Sequence, residues 1–504
     1  SKMARYDVKP GSTSSGVTVG GSSTMYVSSA GTAIETTISG NYYWGSMGIL
    51  NGGEAIKTTI ANNGSVEVAN GGRIQETNQI GGKQSILSGG ITDNATITGG
   101  TLYLADGASA TNLIINSNGG MIGDFSSASY ITGTSNGKEI KISNGIMQNL
   151  TVYQSHYITV GKRWVASSSI LQGDYYKATM NILDGGIAID TAMNKNSYIV
   201  VSNGGCIQKT KQITGTQNIL SGGLTDKAVV TGGTLLLSAG ASATDLLVSA
   251  NGIMIGDFTS DSYISGTSQG KIVKLGNGVM QNLTVYQSRY MTLGDGWIAS
   301  GTTLQGDYYA AKMNILDGGS AIDTTMDKNS YLTVSNGGYI QKTKQVSGTQ
   351  DILSGGLTDR AVVTGGTLLL SAGASATDLL ISANGTMIGD FTSDSYISGT
   401  SQGKIIKLGN GVMQNLTVYQ SRYMTLADGW IASGTTLQGG YYFASMEINS
   451  GAKAINTILN SSCKLHVKSG GYAENTSQAA GSQIIYNGGI ASGGSVKGGT
   501  MYVA

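Results

Sequence analysis

Ile219-Leu220-Ser221-Gly222-Gly223 is preceded by Ile86-Leu87-Ser88-Gly89-Gly90 and followed by Ile352-Leu353-Ser354-Gly355-Gly356, each at the same offset of 133 positions. An altered fourth copy, Ile485-Tyr486-Asn487-Gly488-Gly489, keeps that spacing. Between Ile219–Gly306 and Ile352–Gly439 only five of 88 positions differ: Lys227/Arg360, Val248/Ile381, Ile253/Thr386, Val273/Ile406 and Gly294/Ala427. A repeat that neither gains nor loses a residue reads as one structural unit stacked on itself, not as several globular domains. The expected organisation is a segment 1–16 outside the repeat, then a single continuous body over 17–504. That body holds units 86–218, 219–351 and 352–484, with partial units at both ends.

Composition points to strands. The chain has 78 Gly, a single Pro (Pro10), and 26 Tyr against 4 Phe, with abundant Ser, Thr and Asn. Gly, Thr, Ser and Asn all disfavour helix interiors. Runs such as Ala95-Thr96-Ile97-Thr98 and Thr234-Leu235-Leu236-Leu237 carry the apolar recurrence of half-buried strands, which argues against a floppy Gly/Ser linker. The net charge of +1 leaves no electrostatic footprint for nucleic acid or an anionic membrane surface. Cys206 and Cys463 sit at non-equivalent repeat positions, too far apart in a stacked coil to form a disulfide. No apolar signal core opens the sequence and no stretch is long enough to span a membrane, so targeting or anchoring parts are expected outside this chain.

A finer beat lies inside each unit. Gly52-Gly53, Gly71-Gly72 and Gly89-Gly90 follow one another at offsets of 19 and 18 positions, with half-beats at Gly81-Gly82 and Gly99-Gly100; an insertion around Phe125 to Glu139 breaks the pattern. Short strands ended by glycines free to take positive φ can turn a corner and begin again without steric conflict. Coiling them stacks each strand parallel to its counterpart one layer on, about 4.8 Å away. The predicted fold class is therefore all-β, a parallel β-helix (solenoid); 504 residues at about 19 per layer give about 26 rungs. Ile, Val, Leu and Ala are expected inside, with Thr, Ser, Asn and Tyr facing water. A β-propeller or two-sheet roll is the alternative, and it lacks its Trp-Asp type signatures here.

Three segments carry a family resemblance: Ala30-Gly31-Thr32-Ala33-Ile34-Glu35-Thr36-Thr37-Ile38, Asn51-Gly52-Gly53-Glu54-Ala55-Ile56-Lys57-Thr58-Thr59-Ile60 and Ser469-Gly470-Gly471-Tyr472-Ala473-Glu474-Asn475-Thr476. They resemble the Gly-Gly-x-Ala-x-x-Thr repeat of AIDA-type autotransporter adhesin passengers. The match is best at the two ends and looser in the long repeat units between them, whose Gly-Asp-Phe and Val-Tyr-Gln-Ser segments lie outside that repeat. The resemblance implies a right-handed β-helix exported by type V secretion through a C-terminal outer-membrane barrel absent from this chain. It further implies display on the Gram-negative cell surface and adhesion, autoaggregation or biofilm formation. The implied partners are a host-cell surface glycan or protein, or another passenger, with O-linked heptose added by a glycosyltransferase.

Sequence chemistry favours no catalyst. His156 stands where the other copies have Arg289 and Arg422, and His466 where they have Val200 and Thr333, so neither anchors a repeated acid-base device. Asp124, Asp257 and Asp390 recur in Gly-Asp-Phe and read as turn residues that accept backbone hydrogen bonds. Asp174 and Asp307 become Gly440 in the third copy. No calcium nonapeptide, zinc spacing or phosphate loop is present, so no metal and no cofactor are expected. The Lys209/Lys211 and Lys342/Lys344 pairs read as a solvated face.

The surface candidates are aromatic: Tyr153 and Tyr157, then Tyr286, Arg289 and Tyr290, then Tyr419, Arg422 and Tyr423, together with the pairs Tyr175/Tyr176, Tyr308/Tyr309 and Tyr441/Tyr442. Tyrosine can lie on a sugar ring or a protein at small entropic cost, and Arg adds directional donors. The plainer alternative is that these rings, with Trp164, Trp297 and Trp430, stiffen the stack. The expected function is a non-enzymatic surface adhesin. A β-helical polysaccharide-degrading enzyme, which would need clustered carboxylates, and a passive stalk are the alternatives.

Overall fold

The computed structural model describes residues 3–504. They form strands of two to nine residues joined by tight turns, with no helix. Successive strands stack in parallel as a β-solenoid of about 26 turns. The advance per turn is set by corner length. Gly45 pairs with Gly64, an advance of 19 positions; Tyr198 pairs with Thr216, an advance of 18; Tyr157 pairs with Thr179, an advance of 22. The chain divides into two compact units, Ser1–Met254 with Ile264–Gly270 and Ile255–Tyr263 with Lys271–Ala504. In the first, Ala166, Ala188, Ile207, Thr225 and Ala243 succeed one another along one inward ladder. In the second, Ala299, Ala321, Ile340, Thr358 and Ala376 do the same.

The Gly-Gly-x-Ala-x-x-Thr pattern now has a physical reading. Gly52 has φ +78°, and a Cβ on Gly53 would stand 2.5 Å from the Val27 carbonyl of the preceding turn, so the backbones approach as only glycine allows. Ala55 is fully buried and stacks on Ala33. Lys57 turns the next corner at φ +58°, its N–H bonded to the Gln75 carbonyl of the following turn at 3.0 Å. Thr58 then points inward and is fully buried. Its stack-mates Thr36 and Thr77 are buried too, so threonine is a core residue at this corner and not, as composition suggested, an outward one. A small β-branched side chain fits the narrow angle where two strands meet.

The core also holds glutamines, contrary to the purely aliphatic interior expected. Each repeat buries a pair: Gln79/Gln84, Gln212/Gln217, Gln345/Gln350 and Gln478/Gln483. Gln345 Nε2 donates to the carbonyls of Gly348 (3.0 Å) and Thr367 (2.9 Å). Gln350 Nε2 donates to Gln345 Oε1 (3.2 Å), and Gln350 Oε1 accepts from the Thr358 hydroxyl (2.7 Å). Strand alternation places these positions inside. Gln345 Nε2 adds a second donor to the Gly348 carbonyl, which already accepts the Thr367 N–H at 2.9 Å, so the buried amide is satisfied by the corner backbone.

The insertion is a β-hairpin. Tyr130–Ser135 runs antiparallel to Lys138–Ser143, which runs antiparallel to Ile146–Gln148, after which parallel stacking resumes on Val165–Ser167. The third copy repeats this with Tyr396–Ser401, Lys404–Gly409 and Val412–Gln414. Phe125, Phe258 and Phe391 fill the stack beside the excursion; each is fully buried and bridges in parallel to Ile158, Met291 and Met424 respectively. Gly precedes because a Cβ on Gly123 would touch the Phe125 ring at 2.8 Å. Near the start of the chain Arg5–Val8 pairs in parallel with Thr24–Val27 and Thr13–Ser15 with Thr32–Ile34. Val8 supplies the first buried apolar side chain.

Candidate functional site

A lengthened turn of the coil creates the most exposed aromatic feature. Gly173-Asp174-Tyr175-Tyr176 adds a short loop to a rung, so that Tyr157 pairs 22 positions on where other rungs close in 18 or 19. A Cβ on Gly173 would stand 2.1 Å from the Asn196 carbonyl, so the loop must leave the coil through glycine. Gln154 Oε1 then accepts the backbone N–H of both Tyr175 (3.0 Å) and Tyr176 (3.2 Å). From the next turn Asn196 Nδ2 donates to the Asp174 carbonyl at 3.1 Å, and Lys195 pairs with the Asp174 carboxylate. The backbone is pinned on two sides while both rings project outward.

The same construction recurs. Gln287 accepts from Tyr308 (3.1 Å) and Tyr309 (3.5 Å), Asn329 donates to the Asp307 carbonyl (3.1 Å), and Lys328 pairs with Asp307. Gln420 accepts from Tyr441 at 3.0 Å, but Gly440 replaces the aspartate and Ser461 the lysine. Tyr175 and Tyr308 are each 84% exposed and Tyr441 is 98% exposed. The rings meet edge-on at centroid distances of 5.4 Å (Tyr175/Tyr176) and 5.2 Å (Tyr308/Tyr309), and tilted at 6.4 Å (Tyr441/Tyr442). Tyr42 and Tyr43, with Trp44 beside them, form a further exposed copy. That segment, 133 positions before Tyr175 and Tyr176, lies outside the candidate surface drawn from the sequence. Phe443, also exposed, was missed.

The other aromatic candidates sit closer to the coil. Tyr153 is at the margin of exposure and Tyr286 and Tyr419 are half-buried; burial pushes the Tyr286 phenol upward from its ordinary value. Tyr157 donates to Asp106 at 2.8 Å, and burial with that acidic partner pushes its phenol up to about 12. Tyr290 and Tyr423 are partly exposed. Arg289 and Arg422 are not free donors: each Nη1 pairs with an aspartate, Asp257 at 3.3 Å and Asp390 at 3.2 Å. His156 makes the equivalent contact to Asp124 at 3.1 Å. Trp164, Trp297 and Trp430 are half-buried, each at a tight turn.

Beside the first two loops lies a groove, the part of the site that the sequence did not show. In the first unit it measures about 510 Å³ and is lined by Tyr153, Gln154, Gln172, Asp174 and Lys195, together with Tyr103 and His156. In the second unit a groove of about 390 Å³ is lined by Tyr286, Gln287, Gln305, Asp307 and Lys328, with Asp327 added. Five lining residues thus recur, identical in type, at a shift of 133 positions.

Among the described residues no three of His, Cys, Asp and Glu gather as metal ligands would. Cys206 and Cys463 are free, and burial pushes the Cys463 thiol up to about 11.

No protein-family model and no curated protein matches the chain. Among solved structures it is similar to a TibC-catalysed, hyper-glycosylated TibA fragment, at 19% identity over 78% of this chain and 94% of that one, with a TM-score of 0.18.

Proposed function

We propose that the chain is a non-enzymatic passenger adhesin that attaches to cells, or to other copies of itself, through its recurring tyrosine loops. One observation carries this reading: paired tyrosines are held out into solvent in every copy, at 42/43, 175/176, 308/309 and 441/442, and in the last three a glutamine pins their backbone. Apolar rings so exposed stabilise nothing inside the coil, and pinning removes part of the entropy lost when they meet a partner. Copies in one chain turn weak single contacts into strong attachment. Surface location follows from the same reading, as does O-linked heptose on outward Ser and Thr, which intact mass of natively produced protein would show.

Excision of one whole repeat unit, 219–351, tests the proposal, because it rejoins equivalent positions. An adhesin loses attachment strength several-fold, whereas a passive stalk attaches as before. A glycan-cleaving enzyme has one observation in its favour: Asp307 and Asp327 line the same groove. Asn194 replaces the second acid in the first copy, and Gly440 and Asn460 replace both in the third. Release of reducing ends from polysaccharide, abolished by Asp327→Asn, would support that reading instead.

A further inference from the structure

We propose that the grooves beside Tyr153 and Tyr286 are saccharide subsites, each taking an uncharged pyranose ring of a glycan. This rests on the adhesin reading and names its ligand class. The argument begins with what each groove presents. One wall is a tyrosine at the coil surface, suited to the apolar C–H face of a sugar ring. The same groove is lined by two glutamine amides and an Asp–Lys pair, a set able both to donate to and to accept from hydroxyls. Volumes of about 510 and 390 Å³ lie within the range of small-ligand sites.

Charge decides which sugars fit. Lys195 is paired with Asp174 and Lys328 with Asp307, so neither lysine is left to select a carboxylate or sulfate. In the second groove Asp327 adds a further negative charge, which disfavours anionic sugars more strongly. Preorganisation comes from the loop: Gln154 Oε1 is held by the Tyr175 and Tyr176 amides, and Gln287 Oε1 by those of Tyr308 and Tyr309. Each of these glutamines keeps its Nε2 as a donor. Gln172 is fixed likewise, accepting from Asn194 Nδ2 at 3.0 Å. The third repeat is an internal control. It keeps Tyr419, Gln420 and Gln438 but has Gly440 and Ser461 where the ion pair belongs, so it lacks both the carboxylate and the ammonium.

The test is a microarray of neutral, sialylated and sulfated oligosaccharides probed with the intact chain. Retention of neutral glycans is expected, falling at least ten-fold in a Tyr153→Ala/Tyr286→Ala variant and in an Asp174→Asn/Asp307→Asn variant. A Tyr153→Phe/Tyr286→Phe variant keeps the ring and retains most binding, and unchanged thermal melting of all three excludes misfolding as the cause. Absence of any neutral-glycan signal, preference for sialylated or sulfated glycans, or full binding by the alanine variant would each overturn the proposal. Cell attachment separates this from the parent reading. If the wild-type chain attaches to cells and the groove variants attach equally well, the saccharide subsites fail while the adhesin stands; if the wild-type chain does not attach, the adhesin reading fails whatever the array shows.

Discussion

Asp390 Oδ1 accepts the backbone N–H of Tyr423, 33 residues downstream, at 3.1 Å. The bond spans the hairpin excursion, and it comes with two others: Arg422 pairs with the same carboxylate, and the Phe391 N–H donates to the Tyr423 carbonyl at 2.9 Å. Gly-Asp-Phe is therefore the stitch that lets the parallel stack resume after the hairpin. Asp390→Ala should lower the urea-unfolding free energy of the second unit by about 1 kcal/mol, the usual worth of one such hydrogen bond. Phe391→Ala should cost about 3–5 kcal/mol, because the ring is fully buried and its neighbours cannot close the gap. Equal effects from the two substitutions would contradict this division of labour.

The glutamine pair predicts a strong non-additivity. Gln345→Leu removes three side-chain hydrogen bonds and leaves the Gln350 amide without its acceptor, so it should destabilise by about 2–4 kcal/mol. Gln350→Leu removes fewer bonds and should cost less. With Gln345 already gone, replacing Gln350 removes an amide that has lost its acceptor, so the double variant should be more stable than the sum of the singles by about 1 kcal/mol. Additive effects would mean that the two amides act independently.

Asp359 gives the chain a local acid sensitivity. Burial pushes its carboxyl up, but hydrogen bonds from Thr377, Gln341 and Arg360 outweigh that and hold it at about 2, below its ordinary 3.8. A depressed folded-state value means that the unfolded chain takes up the proton first. The stabilisation is therefore complete above about pH 4 and is lost as pH falls from there towards 2. Solvent screening at this near-surface site limits the effect to about 1 kcal/mol or less. Asp359→Asn should lower the unfolding midpoint at pH 6, and the difference from wild type should vanish near pH 2; a difference that persists at pH 2 would refute the assignment.

Much of the fold was legible because the repeat exposes its own geometry. Gly52-Gly53 and its successors mark corners where backbones of adjacent turns nearly touch, and this constraint shows in the sequence as an unbroken spacing. The hairpin was legible only as a broken beat. Its signal was Asn136-Gly137, both at positive φ between two strands, a turn pair that favours antiparallel return. The buried glutamines were missed because composition sorts amides outward, whereas position in the strand sends Gln212 inward between Met193 and Val230. In the candidate site, the tyrosine pairs could be read directly. The groove could not, since Gln154 and Lys195 lie 41 positions apart and meet only because the intervening turns stack. The arginines misled for the same reason: their aspartate partners are 32 residues away.

The most direct test of the account is cell attachment by the intact chain after Tyr175, Tyr176, Tyr308, Tyr309, Tyr441 and Tyr442 are all replaced by serine, with Tyr42 and Tyr43 changed in a second variant. These rings project into solvent, so melting should shift by no more than about 1–2 °C. Attachment under flow should fall at least ten-fold in the first variant and further in the second. Attachment at the wild-type level by a fully folded second variant would contradict the account.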